Sequence, residues 1–343
     1  MKRLLPILLG FMISTASAQD MSLEKADKWK AFNHLDFTVS AGSTGIGFEV
    51  SSPIGDMVKI RAGFDFFPHF DHTMRFGIES IDQDGNIKAT NFSQLSDRVK
   101  QLTGYAVNDH VDMIGTPKMN NFKLLVNVTP FRNKQWHLTA GFYWGPSKVA
   151  TAVNTTEDML SLVGMNMYNN FYDKIANDQP IISYNTGEID EFGEPVGTDI
   201  YISKDSPIGS GFMHWGRLGV HIGNYARDIT DENGNVIHKA GSPYMMEPDQ
   251  QCMVSARVNV NSFRPFLGFG YEGRLIKGDD RYKIGFECGA MFWGGTPSII
   301  THDGTNLASD VEDIGGKVGS YVSLIKAFKV FPVLNLTITR KIF

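Results

Sequence analysis

The chain has 343 residues, a formal charge of −5, 24 Phe, 35 Gly and only two Cys. A negative balance argues against general nucleic-acid binding. After the N-terminal segment no run reaches the 18 apolar residues that a helical membrane span needs.

Lys2 and Arg3 precede an apolar stretch, Leu4 to Ile13, and then the small-residue site Ala16-Ser17-Ala18. That order predicts a signal peptide over residues 1–18 and a mature chain starting at Gln19. Its removal leaves about 325 residues, enough for one large β domain or two small ones, and takes the formal charge from −5 to −7. The residue immediately after the cleavage site is Gln19 rather than a cysteine, which speaks against a lipoprotein. Residues 19–343 are read as a single domain.

Period-two alternation then dominates. Leu35, Phe37, Val39 and Ala41 alternate with polar residues, as do Ile46, Phe48 and Val50 after a turn or bulge at Ser43-Thr44-Gly45. Across Pro53-Ile54-Gly55-Asp56 lies the clearest case, where Val58, Ile60, Ala62, Phe64 and Phe66 oppose Lys59, Arg61, Gly63 and Asp65. Residues 68–118 form a long excursion, with an expected hairpin around Asp84-Gly85 and a short amphipathic helix near Gln94 to Leu102. Strands resume with Phe122, Leu124, Val126 and Val128, then Trp136, Leu138, Ala140, Phe142 and Trp144.

A second excursion spans 146–214, with a Met-rich helix over 156–176, an Asn154–Glu157 capping box and a hairpin joining 181–184 to 199–203. Packing explains methionines at helical spacing better than partner binding does. Further alternation runs through Leu218 to Ile222, Val254 to Val260, Leu267 to Tyr271 and Tyr282 to Phe292. Cys252 and Cys288 fall on the apolar parity, so no disulfide is expected. A helix beginning at Ser309 with an apolar face Val311, Ile314, Val318, Tyr321 and Ile325 precedes a final strand to Ile342.

These segments predict an all-β fold, an antiparallel transmembrane β-barrel of about ten strands, eight and twelve being compatible with the turns. Its long loops would carry short helices. Apolar residues would face lipid and polar ones the lumen. The inward set is Glu49, Lys59, Arg61, Asp65, Lys123, His137, Arg217, His221, Arg257, Lys283 and Glu287. In so narrow a barrel a mixed-charge network first serves to fill the interior.

The signal peptide, the alternating strands and the terminal Phe343 together resemble Gram-negative outer-membrane barrels. The segments 43–49, 264–271 and 331–334 resemble an uncharacterised family of exported Bacteroidota barrels. That resemblance implies outer-membrane lipid as the surroundings and assembly machinery that reads the last strand. Lys341 and Thr339 depart from its pattern, which has apolar residues there. It implies no catalytic residue, cofactor or metal.

The residues give little chemistry. His69-Phe70-Asp71-His72 lacks a second ligand pair at zinc-like spacing. No Gly-x-Ser-x-Gly motif stands in the chain, and the Gly268-Phe269-Gly270 segment is no dinucleotide fingerprint. The expectation is therefore a non-enzymatic outer-membrane barrel with a filled lumen and a structural or surface-binding role toward an unspecified ligand. A barrel hydrolase acting on lipid or peptide, or a narrow channel, is the alternative.

Overall fold

Eight of the alternating segments pair edge to edge until the last meets the first. The computed structural model describes residues 32–342 except 83, 89–92, 95, 98, 99, 102, 103, 105, 106, 190 and 194; residues 1–18, where a signal peptide is expected, and Phe343 lie outside the described residues. The strands are β1 (Asp36–Gly42), β2 (Gly45–Ile54), β3 (Val58–Phe66), β4 (Asn121–Val128), β5 (Trp136–Trp144), β6 (Phe263–Ile276), β7 (Asp279–Phe292) and β8 (Val330–Lys341). They follow one another in chain order around a closed antiparallel barrel. The seam is β8 against β1, from Asp36 opposite Lys341 to Gly42 opposite Asn335.

The count is eight, not ten. The segments 217–222 and 254–260 are not barrel wall. They belong to Arg217–Tyr225 and Ser255–Asn259, which pair with other strands. Period two records only that one face is covered, and protein can cover it as well as lipid can expose it. Strand pairing, not length, separates the cases, because Arg217–Tyr225 has nine residues, as many as a spanning strand needs.

One end of the barrel holds both termini and three short turns, at 55–57, 129–135 and 277–278. We call it the turn end. The other, the loop end, has the tight Gly42–Gly45 turn and three long excursions, 67–120, 145–262 and 293–329. The excursions interleave into a second β assembly. Its larger sheet has the spatial order Ser298–Thr301, Ser255–Asn259, Lys148–Asn154, His110–Pro117, His72–Gly77, so all three excursions contribute. A second sheet runs Pro243–Met246, Arg217–Tyr225, Glu79–Ile81, Ile87–Lys88, and Val311–Glu312 also pairs with Arg217–Tyr225.

Three helices pack with them: α1 (Met159–Ala176), α2 (Pro207–Trp215) and α3 (Gly316–Ala327). Val111, Met113, Leu162, Met165, Leu218, Val220 and Val322 meet in one apolar core. Leu162 is fully buried there, so Leu162→Ala costs about 2–5 kcal/mol.

Several boundaries differ from the sequence reading. The helix α1 starts at Met159, and its N-cap is Asp158 without a side-chain cap bond. Asp158 instead accepts from the Asp112 amide, the Thr155 hydroxyl and the Asn108 amide, tying the helix start to the larger sheet. The helix expected from Ser309 does not begin there: Val311–Glu312 is a strand, and α3 begins at Gly316. The hairpin around Asp84-Gly85 joins Ile81 to Ile87, while 72–77 pairs with 110–117. The 94–102 helix falls partly outside the described residues. The sequence signals did not reveal α2, a short helix capped by the Ser206 hydroxyl.

Candidate functional site

Inside the barrel the inward positions bring charge together from six of its strands. Arg61 on β3 is the hub. Its Nε donates to Glu49 on β2 at 2.7 Å. Nη1 and Nη2 donate to the two carboxylate oxygens of Glu287 on β7 at 2.7 and 3.1 Å, and Nη1 also reaches Asn127 Oδ1 at 3.2 Å. Such a bidentate pair fixes geometry as well as charge. Toward the loop end, Lys123 on β4 bridges Glu49 and Asp65, both at 2.6 Å. Toward the turn end, Lys59 bridges Asp36 at 2.9 Å and Glu272 at 3.3 Å, and Lys283 meets Glu272 at 3.1 Å.

Five carboxylates thus face four cations, a net of −1. A balance this close gives the interior no strong field favouring ions of one sign.

Glycine leaves the room these pairs occupy. A Cβ on Gly47 would strike the Asp65 carboxylate and the Ser40 hydroxyl, and one on Gly270 would strike the His137 ring. Between the charges, Thr38 and Thr339 hydroxyls bond at 2.8 Å and Thr139 donates to Asn127 at 3.1 Å. The cavity left among Thr38, Arg61, His137, Glu287 and their neighbours measures about 10 Å³, room for about one water.

Above the charges, the loop end is stopped by an apolar cluster. It includes Leu125, Tyr143, Phe266, Met291, Trp293 and Val333, the first four and Val333 at 3% exposure or less. Arg264 is fully buried at this rim. It donates to the side chain of Asn121 and to the carbonyls of Pro146 and Asn261, stitching the loop ends of β4, β5 and β6.

Of the eleven charged or His residues put forward as facing the lumen, eight line the barrel interior: Glu49, Lys59, Arg61, Asp65, Lys123, His137, Lys283 and Glu287. Arg217 and His221 do not. Arg217 lies in the second assembly, where Glu247 binds it at 2.5 and 2.7 Å and Asp173 pairs with it. The hydrogen bonds it donates to Glu247, with the one it donates to Asp173, hold its guanidinium well above its ordinary pKa. His221 lies 3.5 Å from Glu79 and hydrogen-bonds the Gly223 carbonyl. Arg257 is exposed on the larger sheet. All three follow the correct parity on strands that wall a different core.

Asp36, Glu272 and Arg264 were missed. Asp36 and Glu272 stand on the inward parity of their strands, so the same alternation contains them.

Other chemistry is sparse. His69 sits 3.5 Å from Asp71, while His72 bonds the Tyr321 hydroxyl at 2.9 Å, so the two histidines have separate partners. Among the described residues no group of three His, Cys, Asp or Glu gathers as a metal site. Cys252 and Cys288 are free thiols. His137 lies in the lumen and His221 in the second assembly, so they share no site.

No family model and no curated protein matches the chain. Among solved structures, it aligns with the crystal structure of Acinetobacter baumannii CarO2 at 13% identity and a TM-score of 0.36, over 90% of this chain and 98% of that one. Acinetobacter baumannii CarO aligns at 12% and 0.34, over 90% and 97%. Likeness at that level does not extend to function.

Proposed function

We propose that the protein is an outer-membrane β-barrel that anchors a surface-exposed β assembly, with a structural or binding role carried by that assembly and no catalytic step. The observation that carries the reading is the barrel's outer face. Phe37, Phe48, Phe64, Leu124, Leu138, Phe269, Ile284 and Leu336 all stand exposed on it. A soluble monomer rarely exposes so continuous an apolar surface, and lipid accommodates it.

Aromatics mark both edges. Trp136, beside Tyr271 and Phe286, lies near the turn end, and Trp144 lies near the loop end. Eight residues separate the two tryptophans, about 26 Å along a strand. A tilt of about 35–45° reduces that to about 20 Å across the bilayer, in the range of the apolar band of such barrels. Short turns and termini on one side and long loops on the other support a periplasmic turn end and an outward loop end. The closing strand β8 would be the segment offered to the assembly machinery.

Traffic through the barrel is not part of this role, since conduction would require breaking the Arg61 bridges and displacing the apolar cluster. The test is fractionation followed by gel migration with and without boiling, with protease added to intact cells. Outer-membrane recovery, heat-modifiable migration and external cleavage in the exposed hairpin Ile182–Ile189/Pro195–Ile200 are expected. Recovery in the soluble periplasmic fraction overturns the proposal.

A further inference from the structure

The second β assembly contains a cavity of about 220 Å³ between its larger sheet and α3. Well-packed interiors keep few voids larger than a water, and about 150 Å³ of dry apolar cavity suffices for a benzene ring. The walls are almost wholly apolar. Val318, Tyr321, Val322 and Ile325 supply one side, at helical spacing on α3. Ile222 and Met246 come from the second sheet.

The floor follows from strand register. His72 stands opposite Gly115, Gly115 opposite Ala152, Ala152 opposite Ala256, and Ala256 opposite Thr301. Directly opposed residues point to the same face, so three small residues form a trough between two polar ends. Nothing rigid requires the smallness of Gly115, because a Cβ there would press on the flexible methyl of Met74, at 3.2 Å, and stand at ordinary contact distance, 3.5 Å, from the His72 carbonyl.

A second cavity, about 390 Å³, shares His72, Met74, Phe76, Val318 and Tyr321 with the first. Its remaining walls are polar: Thr73, Arg75 and Asp112. The Arg75–Asp112 pair is bidentate, both bonds 2.8 Å, with most of the arginine exposed. His72 Nε2 and the Tyr321 hydroxyl, 2.9 Å apart, stand on the boundary between the two spaces. An apolar chamber thus adjoins a polar one at a hydrogen-bonding pair.

We infer that this double cavity is a binding site for a single-chain acyl amphiphile, with the tail over Gly115, Ala152 and Ala256 and the head at His72 and Tyr321. At about 30 Å³ per methylene, close to the volume of a water, the inner chamber holds a tail of about seven or eight carbons. Met74, Met113 and Met246 line it with adaptable side chains suited to a flexible tail. The inference rests on the surface-binding reading above and names the ligand class of that binding. The chain could come from a free fatty acid or from a short-chain lysolipid, and the chemistry recognised is the same.

The test uses the full protein in lipid nanodiscs, first shown to be inserted by heat-modifiable migration. Octanoate and hexadecanoate are titrated by calorimetry against loaded and empty discs, and lipids co-purifying with the protein are identified by mass spectrometry. Saturable one-site binding of octanoate above the empty-disc signal is expected, with hexadecanoate at least tenfold weaker. Gly115→Leu and, separately, Ala152→Leu fill the trough and weaken octanoate at least tenfold. A stoichiometric co-purified single-chain lipid with a tail of about eight carbons, lost in the same two variants, supports the site with that lipid as the source.

Absence of saturable octanoate binding together with absence of such a lipid overturns the inference. So does unchanged binding in either folded variant. Failure of the wild-type protein to insert would instead overturn the membrane reading, which separates the two.

Discussion

Arg61→Met is the perturbation that most directly loads the barrel interior. The change removes the partner of Glu287, which is 2% exposed and bound to Arg61 through both oxygens. Glu49 keeps Lys123 at 2.6 Å, so the damage concentrates on one buried carboxylate. Breaking a buried pair from one side costs about 3–5 kcal/mol, whereas replacing both partners with neutral groups is often nearly neutral. Arg61→Met should therefore lower the folding equilibrium by roughly two to four decades, at about 1.4 kcal/mol per decade. Arg61→Met combined with Glu287→Gln should recover most of it. The assay is urea unfolding in lipid vesicles, read by the fraction of heat-modifiable protein. A single-variant cost below about 1 kcal/mol, or a double variant no better than the single, would refute the network as drawn.

Three further outcomes follow from the same geometry. Gly47→Val forces a side chain into the Asp65–Ser40 contact and should cost at least about 1–3 kcal/mol, measured by the same unfolding. Gly77→Ala, where a Cβ meets nothing within 4 Å, should be tolerated. Lipids brominated along their chains should quench fluorescence from Trp136 and Trp144, and replacing both with Phe should abolish most of that quenching. Replacing Trp293, buried among apolar side chains, should not.

In the second assembly, burial alone would raise the Asp303 carboxyl. Hydroxyls from Thr301 and Tyr244 and the Thr305 amide more than offset it and hold it below the usual range. A depressed carboxyl stabilises the fold above its unfolded pKa, about 3.9, and loses that contribution as pH falls through its lower native value. Hydrogen exchange at the Thr305 amide should accelerate below about pH 4, and Asp303→Asn should remove the dependence.

The barrel wall was largely legible because inward and outward neighbours differ so sharply. On β3 every apolar side chain faces out, and Lys59, Arg61 and Asp65 face in. The loop-end assembly was not legible as a unit. Its strands pair across excursions that are far apart in the chain, such as Ala152 with Ala256 and Ala256 with Thr301, and alternation carries no record of partner. That is why Arg217 and His221 were assigned to the lumen. The trough depends on this same pairing. Gly115, Ala152 and Ala256 are unremarkable singly and become a floor only when register aligns them.

The most direct test of the account is the conductance of the purified, heat-modifiable protein in a planar bilayer. The lumen is occupied by the Arg61, Lys123 and Lys59 bridges and stopped by Phe266, Met291 and Trp293. A quiet bilayer is expected for the wild type, without stable open steps. A steady large conductance in the wild-type protein would contradict the filled barrel and return the function to the pore.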